Sequence, residues 1–255
     1  MTYFEHDGTH IYYEERGEGE PILVLPGFTE DTADLEELIS GLAQSYRVIA
    51  ADLLGSGRSE PIPREYSPDF YLEDAHTMSA LLRHLGIEKA HVAGFSDGGE
   101  VALLMAVHYP DLVRSLIVWG AAGTLGTGDI APTLDTIYNM IDHPVEDLQG
   151  WSDYIKQQYG VEAGRATMQS WSAASKAILE RGGDISFSRA HEIRCPALII
   201  SGELDPFVTP NMTRDLASRI PDATFHIVPG VGHAVHHDRP EWFMQTVLDW
   251  LGSET

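Results

Sequence analysis

Short apolar runs alternate with helical patterns along most of this chain, and that alternation restricts its fold more than any other feature. The runs are ILVLP at 22–26, RVIAAD at 47–52, AHVAGF at 90–95, LVRSLIVWG at 112–120, PALIISG at 196–202 and a last one at 223–228. Such runs, with little charge and many β-branched residues, suit strands buried on both faces. HIYYEER at 10–16 reads as one more strand, joined to 22–26 by the turn Gly17-Glu18-Gly19. Helical spacing appears at 34–45, through Leu35, Leu38, Ile39 and Leu42, and at 69–86, where Gly86 suits a C-terminal cap. Further helices are expected at 100–109, stopping before Pro110, at 210–219 and at 240–251. Strand–helix alternation of this kind predicts an α/β fold, with a mostly parallel central sheet and helices on both faces.

The alternation breaks between 124 and 190. No strand is evident there, and helical patterns occur near 132–142, 146–159 and 162–181. We therefore expect a core domain of 1–123 and 191–255, with 124–190 as a helical lid inserted into it. Ligands in open parallel sheets bind beyond the carboxyl ends of the strands, so an insertion leaving a strand end can roof a pocket. Its large apolar residues Trp151, Met168 and Trp171 are the expected pocket-lining groups. The same residues could instead only pack against one another.

The chemistry is concentrated at such strand ends. Gly94-Phe95-Ser96-Asp97-Gly98 matches G-x-S-x-G. The pattern alone is common, but here it follows a strand and precedes a helix, the setting of a nucleophile elbow. Glycines on both sides relieve crowding at so sharp a turn. A serine hydroxyl needs an adjacent base, most often histidine. His233, in Pro229-Gly230-Val231-Gly232-His233, follows the strand at 223–228 and so lies at the same end of the sheet. His91 and His226 fall inside strands, whereas His236 and His237 are rivals nearer the final helix. His233, His236, His237 and Asp238 could suggest a metal site, but Gly230, Gly232 and Pro240 argue for a loop, and no metal or cofactor is expected. The orienting acid should fall between serine and histidine in chain order. Glu203 and Asp205 both qualify, and Asp205, further past the strand end, is preferred. The oxyanion donors expected are the backbone N–H groups of Asp97, after the nucleophile, and of Phe28, in the loop Leu25-Pro26-Gly27-Phe28.

Charge and cysteine content bound the partners. Against 39 acidic residues stand 16 lysines and arginines, a net charge of −23. That balance repels nucleic acid and anionic lipid, so neither is expected as a partner. It suits a heavily solvated surface, or the steering of cationic substrates. The single cysteine, Cys195, allows no intrachain disulfide and fits a reducing cytoplasm. MTYFEHDGTH carries charge where an export signal would be apolar, and no run is long enough to span a membrane.

LPGF after an early strand, DLLGSGRS at 52–59, GFSDGG at 94–99, GELDPF at 202–207 and GVGH at 230–233 together resemble the α/β-hydrolase superfamily over nearly the whole chain. Ser96-Asp97-Gly98-Gly99, the helix ending YPD at 109–111 and Ile117-Val118-Trp119-Gly120-Ala121 are most similar to the valacyclovir hydrolase, or biphenyl hydrolase-like, family. The resemblance implies a Ser-His-Asp hydrolase without cofactor, acting on a small-molecule ester. It also implies that Asp97 binds the α-amino group of an amino-acid ester; otherwise its carboxylate hydrogen-bonds nearby backbone or pairs with an arginine. Competing readings of the same triad are an enol-lactone hydrolase, a carbon–carbon bond hydrolase, a cofactor-free haloperoxidase or a slow-turnover ligand receptor.

Overall fold

The computed structural model describes residues 2–126 and 130–253. Met1, residues 127–129 and residues 254–255, which fall within the expected core and insertion, lie outside the described residues. The strands are β1 (Thr2–His6), β2 (Thr9–Arg16), β3 (Glu20–Leu25), β4 (Tyr46–Ala51), β5 (Ala90–Phe95), β6 (Val113–Trp119), β7 (Ala197–Gly202) and β8 (Ala223–Val228). They form one sheet in the order β1-β2-β4-β3-β5-β6-β7-β8. β2 runs antiparallel to both its neighbours, and every later pairing is parallel. The helices are α1 (Glu36–Leu42), α2 (Phe70–His84), α3 (Asp97–His108), α4 (Ala131–Asn139), α5 (Gln149–Tyr159), α6 (Val161–Glu180), α7 (Pro210–Arg219), α8 (Val235–Asp238) and α9 (Pro240–Ser253).

β3 explains why its sequence is unbroken apolar. Side chains alternate across a strand. Ile22 and Val24 enter one buried layer with Leu38 of α1 and Phe243 of α9. Leu23 and Leu25 enter the other, with residues of α2, α3 and the helices α4 to α6. All four are fully buried, so the strand has no wet face. The helices α4 to α6 stand between β6 and β7 in the chain, and an isolated bridge of Thr124 with Asp184 closes their base. Among the described residues no helix is long and apolar enough to cross a membrane.

Three local expectations are corrected. β1 has no apolar run to announce it, because only Phe4 of it is buried. It is an edge strand held by pairing with β2 through Asp7-Gly8, both at positive φ, the geometry of a tight hairpin. α3 begins at Asp97 rather than near residue 100, since the elbow turns directly into the helix and Glu100 N donates to Ser96 O at 3.1 Å. The segment after His233 is not all loop. Val235–Asp238 forms a helical turn, with Asp238 N on Ala234 O at 3.0 Å, and Pro240 opens α9 where its missing N–H costs nothing.

The long connection from β4 to α2 is fastened by a buried ion pair. Arg64 Nη1 donates to Asp74 Oδ2 at 2.8 Å and to Leu54 O at 3.0 Å. Burial pushes the Asp74 carboxyl up to about 6, with Arg64 opposing the shift. Asp74→Ala is expected to cost about 3–5 kcal/mol, because it leaves a buried guanidinium without its buried counter-charge and with only the exposed Glu73 at 3.3 Å. A urea melt followed by tryptophan fluorescence checks this. A loss below about 1 kcal/mol, the range of an exposed pair, would mean the pair does not hold the connection.

Candidate active site

The turn from β5 to α3 is built by steric exclusion. Ser96 has φ 50 and ψ −118, a strained conformation for a residue with a side chain. A Cβ on Gly94 would lie 2.2 Å from Gly98 O, and one on Gly98 would lie 2.5 Å from both Leu25 O and Pro26 O. Only glycine fits either place. The second contact presses the elbow against the end of β3, and so sets Asp97 beside the loop that carries Phe28.

Ser96 Oγ lies 3.0 Å from His233 Nε2, and His233 Nδ1 lies 2.7 Å from Asp205 Oδ2. Asp205 is fixed independently, because its Oδ1 accepts from Phe207 N and Val208 N, each at 2.9 Å. With Asp205 acting only as acceptor, Nδ1 of His233 carries the proton and Nε2 is free to accept from the serine hydroxyl. Glu203, the rival acid, accepts instead from Gly230 N at 2.9 Å and braces the loop before His233. His236, the rival base, accepts from Trp119 Nε1 at 2.9 Å and packs on Phe95. Burial and the neighbouring histidines hold it down to about 3, so it stays neutral. His237 stacks on His236. Among the described residues no group of three or more His, Cys, Asp or Glu could hold a metal ion.

A cavity of about 320 Å³ opens over Ser96. Phe28, Trp151 and Trp171 line it, with Leu134 and Ile137 of α4 and Met212 of α7. Met168 does not. It is fully buried in the apolar core, and periodicity could not separate it from its neighbours because both sides of this helix meet apolar surroundings. Among the described residues neither Phe28 N nor Asp97 N donates to an acceptor.

Asp97 departs from the expected alternatives of a backbone bond or an arginine. Its Oδ1 accepts from Tyr71 OH at 2.9 Å and its Oδ2 from Trp171 Nε1 at 2.8 Å. Burial raises its carboxyl to about 6, against the pull of those two bonds. Two further carboxyls line the cavity, and the sequence reading passed over both. Glu30 accepts from Gly27 N at 3.2 Å, and burial, with Asp34 adding to it, pushes it up to about 8. Glu100 accepts from Ala122 N and Gly123 N at 3.0 Å each, leaves its Oε2 without a partner, and is pushed up by burial to about 8. The only signals for them were an acid just after the Gly27 turn and one in the first turn of a helix. The latter is ordinarily read as a favourable placement at a helix start. Among the described residues no lysine or arginine lines the cavity.

A strained serine at a strand–helix turn, a histidine within reach of it and a cavity above both are the marks of a hydrolase on a parallel sheet. The chain belongs to the alpha/beta hydrolase fold family, whose model matches residues 20–158 and 143–240. It is 27% identical to human serine hydrolase BPHL over 256 residues, covering 96% of this chain and 84% of that protein. It is 29% identical to a 2-hydroxy-6-oxononadienedioate/2-hydroxy-6-oxononatrienedioate hydrolase of Paraburkholderia phymatum, covering 95% of this chain and 91% of that one. The enol-lactonase of Burkholderia xenovorans superposes with a TM-score of 0.80 at 23% identity, over 98% of this chain and all of that one.

Gly98→Ala is expected to destabilise the fold by more than the roughly 1 kcal/mol typical of point mutants, since its Cβ would meet two backbone oxygens. Thermal melting checks it. A variant that melts like the parent would show that the elbow can open without cost.

Proposed function

We propose that this chain is a serine hydrolase that cleaves small carboxylic esters bearing an amino group, through an acyl-enzyme on Ser96. The observation that carries the reading is the unbroken chain from Asp205 through His233 to Ser96 at 2.7 and 3.0 Å. Ser96 Oγ attacks the ester carbonyl as its proton passes to His233 Nε2. The oxyanion that forms meets the Phe28 and Asp97 N–H groups. Collapse breaks the carbon–oxygen bond, and His233 returns its proton to the leaving alcohol. Water then repeats the sequence on the acyl-enzyme and frees Ser96. Asp205 holds the imidazole tautomer and stabilises the imidazolium.

The cavity's charge narrows the substrate. A 2-hydroxy-6-oxo-dienedioate, the substrate class in the name of one relative, is anionic. A cavity lined by Glu30, Asp97 and Glu100, with no lysine or arginine among the described residues, offers such a group no counter-charge. An ammonium finds one, as Asp97 receives bonds only from neutral donors. A charge-assisted hydrogen bond there suits an α-amino ester, in line with the likeness to the biphenyl hydrolase-like family. Residues 124–190 then act as the lid over this pocket, with Trp151 and Trp171 facing the substrate. The single Cys195 favours a reducing, cytoplasmic setting, and the net charge of −23 disfavours nucleic acid or anionic membrane as partners.

Ser96→Ala is expected to lose turnover by several orders of magnitude while keeping its melting temperature. A fluorophosphonate should label the native enzyme on Ser96, and an adduct on any other residue would remove the assignment.

Asp97→Asn should lose most of the preference for an amino ester over its des-amino analogue, about 1.5–3 kcal/mol for a hydrogen bond to a charged group. The preference should also depend on pH in a defined direction. The raised Asp97 carboxyl is ionised only above about 6, so the native preference should fall as pH drops through that value. Taking the ratio of the two esters at each pH cancels any pH dependence of the chemical step that both share. Equal treatment of both esters by native and Asn enzymes would leave a plain ester or lactone hydrolase.

A further inference from the structure

Thr29 follows Phe28 directly and has φ 65. For a β-branched residue this left-handed conformation is an outlier that persists only where the surroundings impose it. The imposing groups come from α5. Trp151 Nε1 donates to Thr29 Oγ1 at 2.8 Å. Tyr159 OH donates to Thr29 O at 2.8 Å and accepts from Gly57 N at 2.8 Å, so one hydroxyl ties the loop after β3 to the loop after β4. Thr29 is 1% exposed, which leaves no water to replace either bond. Three residues on, Thr32 N donates to the buried Asp52 Oδ1 at 2.8 Å and fixes the chain there. Upstream, the Phe28 ring stacks on Trp171 of α6 with centroids 4.5 Å apart. Among the described residues Phe28 N thus has no acceptor, in a loop gripped from α5, α6 and the loop after β4 and tied to itself by Gly27 N on Glu30 Oε2 at 3.2 Å.

We infer that Tyr159 and Trp151 are positioning residues that hold Thr29 in its left-handed conformation and thereby aim the Phe28 N–H at the reacting carbonyl oxygen. The inference rests on the proposed role of Ser96. Tyr159 does not line the cavity, so it acts through the loop and not on substrate. Since Asp52 anchors the chain at Thr32, a relaxation of Thr29 toward negative φ is taken up upstream, at Phe28. The inserted helices then complete the catalytic machinery as well as covering it. α5 ends at Tyr159 because Gly160 follows at φ 78, and this places the hydroxyl at the end of the helix nearest both loops.

Tyr159→Phe keeps the ring and removes only the bridging hydroxyl. Thr29→Val keeps the branched shape and removes only the acceptor for Trp151. Each is expected to lower kcat by about ten- to a hundredfold, less than outright deletion of an oxyanion donor, with KM within twofold. Affinity for an alkylboronic acid, whose tetrahedral serine adduct sets an oxygen in the same place, should fall by a similar factor. Asparagine adopts positive φ readily, so Thr29→Asn placed in the Tyr159→Phe enzyme should recover part of the lost kcat. Melting temperatures and active-site titration count folded enzyme, and Thr29→Val decides the matter if Tyr159→Phe fails to fold. A kcat within twofold of native, a rise in KM at unchanged kcat, or a lowered kcat with native boronate affinity would each overturn the inference, as would a double variant no better than Tyr159→Phe. If Ser96→Ala keeps turnover, the proposed function itself falls. If Ser96→Ala is inactive while Tyr159→Phe and Thr29→Val behave as native, only this inference falls.

Discussion

The close approach of Gly98 to the carbonyls of Leu25 and Pro26 governs the rest of the site. It is a steric constraint, felt as 2.5 Å between backbone oxygens and the place where any Cβ would stand. Because β5 and β3 are neighbours in the sheet, the turn leaving β5 abuts the loop leaving β3. That contact sets the loop carrying Phe28 against the elbow carrying Ser96 and Asp97. His233 and Asp205 arrive from the loops after β8 and β7, at the same carboxyl edge. Ser96, Asp205 and His233 therefore all sit at strand ends, while the strands beneath them are largely apolar, with His91 of β5 on Ser115 of β6 as a buried polar pair.

The second organising element is a set of carboxyls without counter-ions. Burial makes ionisation of Glu30, Asp97 and Glu100 unfavourable, and each lies raised above its ordinary range. Asp97 alone is raised only to about 6, since Tyr71 and Trp171 donate to it. Near neutral pH the cavity thus holds one carboxylate and two carboxyls that stay largely protonated. Such an arrangement offers an incoming cation a counter-charge and an incoming anion none, and the proposed preference for amino esters over dienoates rests on that difference.

Much of this was legible in the sequence. Strands buried on both faces announce themselves as apolar runs, and seven of the eight were read that way or by alternation. That Ser96, Asp205 and His233 would come together was legible because each follows a strand at the same edge of the sheet. β1 was not, because an edge strand with one buried side chain has no periodic signal, and its Asp7-Gly8 turn was the only cue. Met168 was assigned to the pocket because a helix packed on two sides shows large apolar residues on both. The partners of Asp97 were out of reach for a different reason. Tyr71 and Trp171 lie 26 and 74 residues away along the chain, and nothing local marks either as a donor. Tyr159 and Thr29, 130 residues apart, escape for the same reason.

These long-range bonds share a pattern. Trp171 donates to Asp97 and stacks on Phe28, so a single indole touches both residues whose N–H groups are proposed to meet the oxyanion. Trp151 lines the cavity while bonding to Thr29. Each tryptophan therefore has one polar bond to the loop or elbow and one apolar surface turned to the cavity, as an amphipathic ring allows. On the proposed reading, an ammonium bound at Asp97 favours its ionised form. An ionised acceptor in turn strengthens the Trp171 bond, because hydrogen bonds to charged groups are the stronger ones. The same substrate charge that selects the ligand thus firms the ring that packs on Phe28. Recognition and oxyanion geometry are then joined through one side chain of the inserted helices, without any need for the sheet beneath to move.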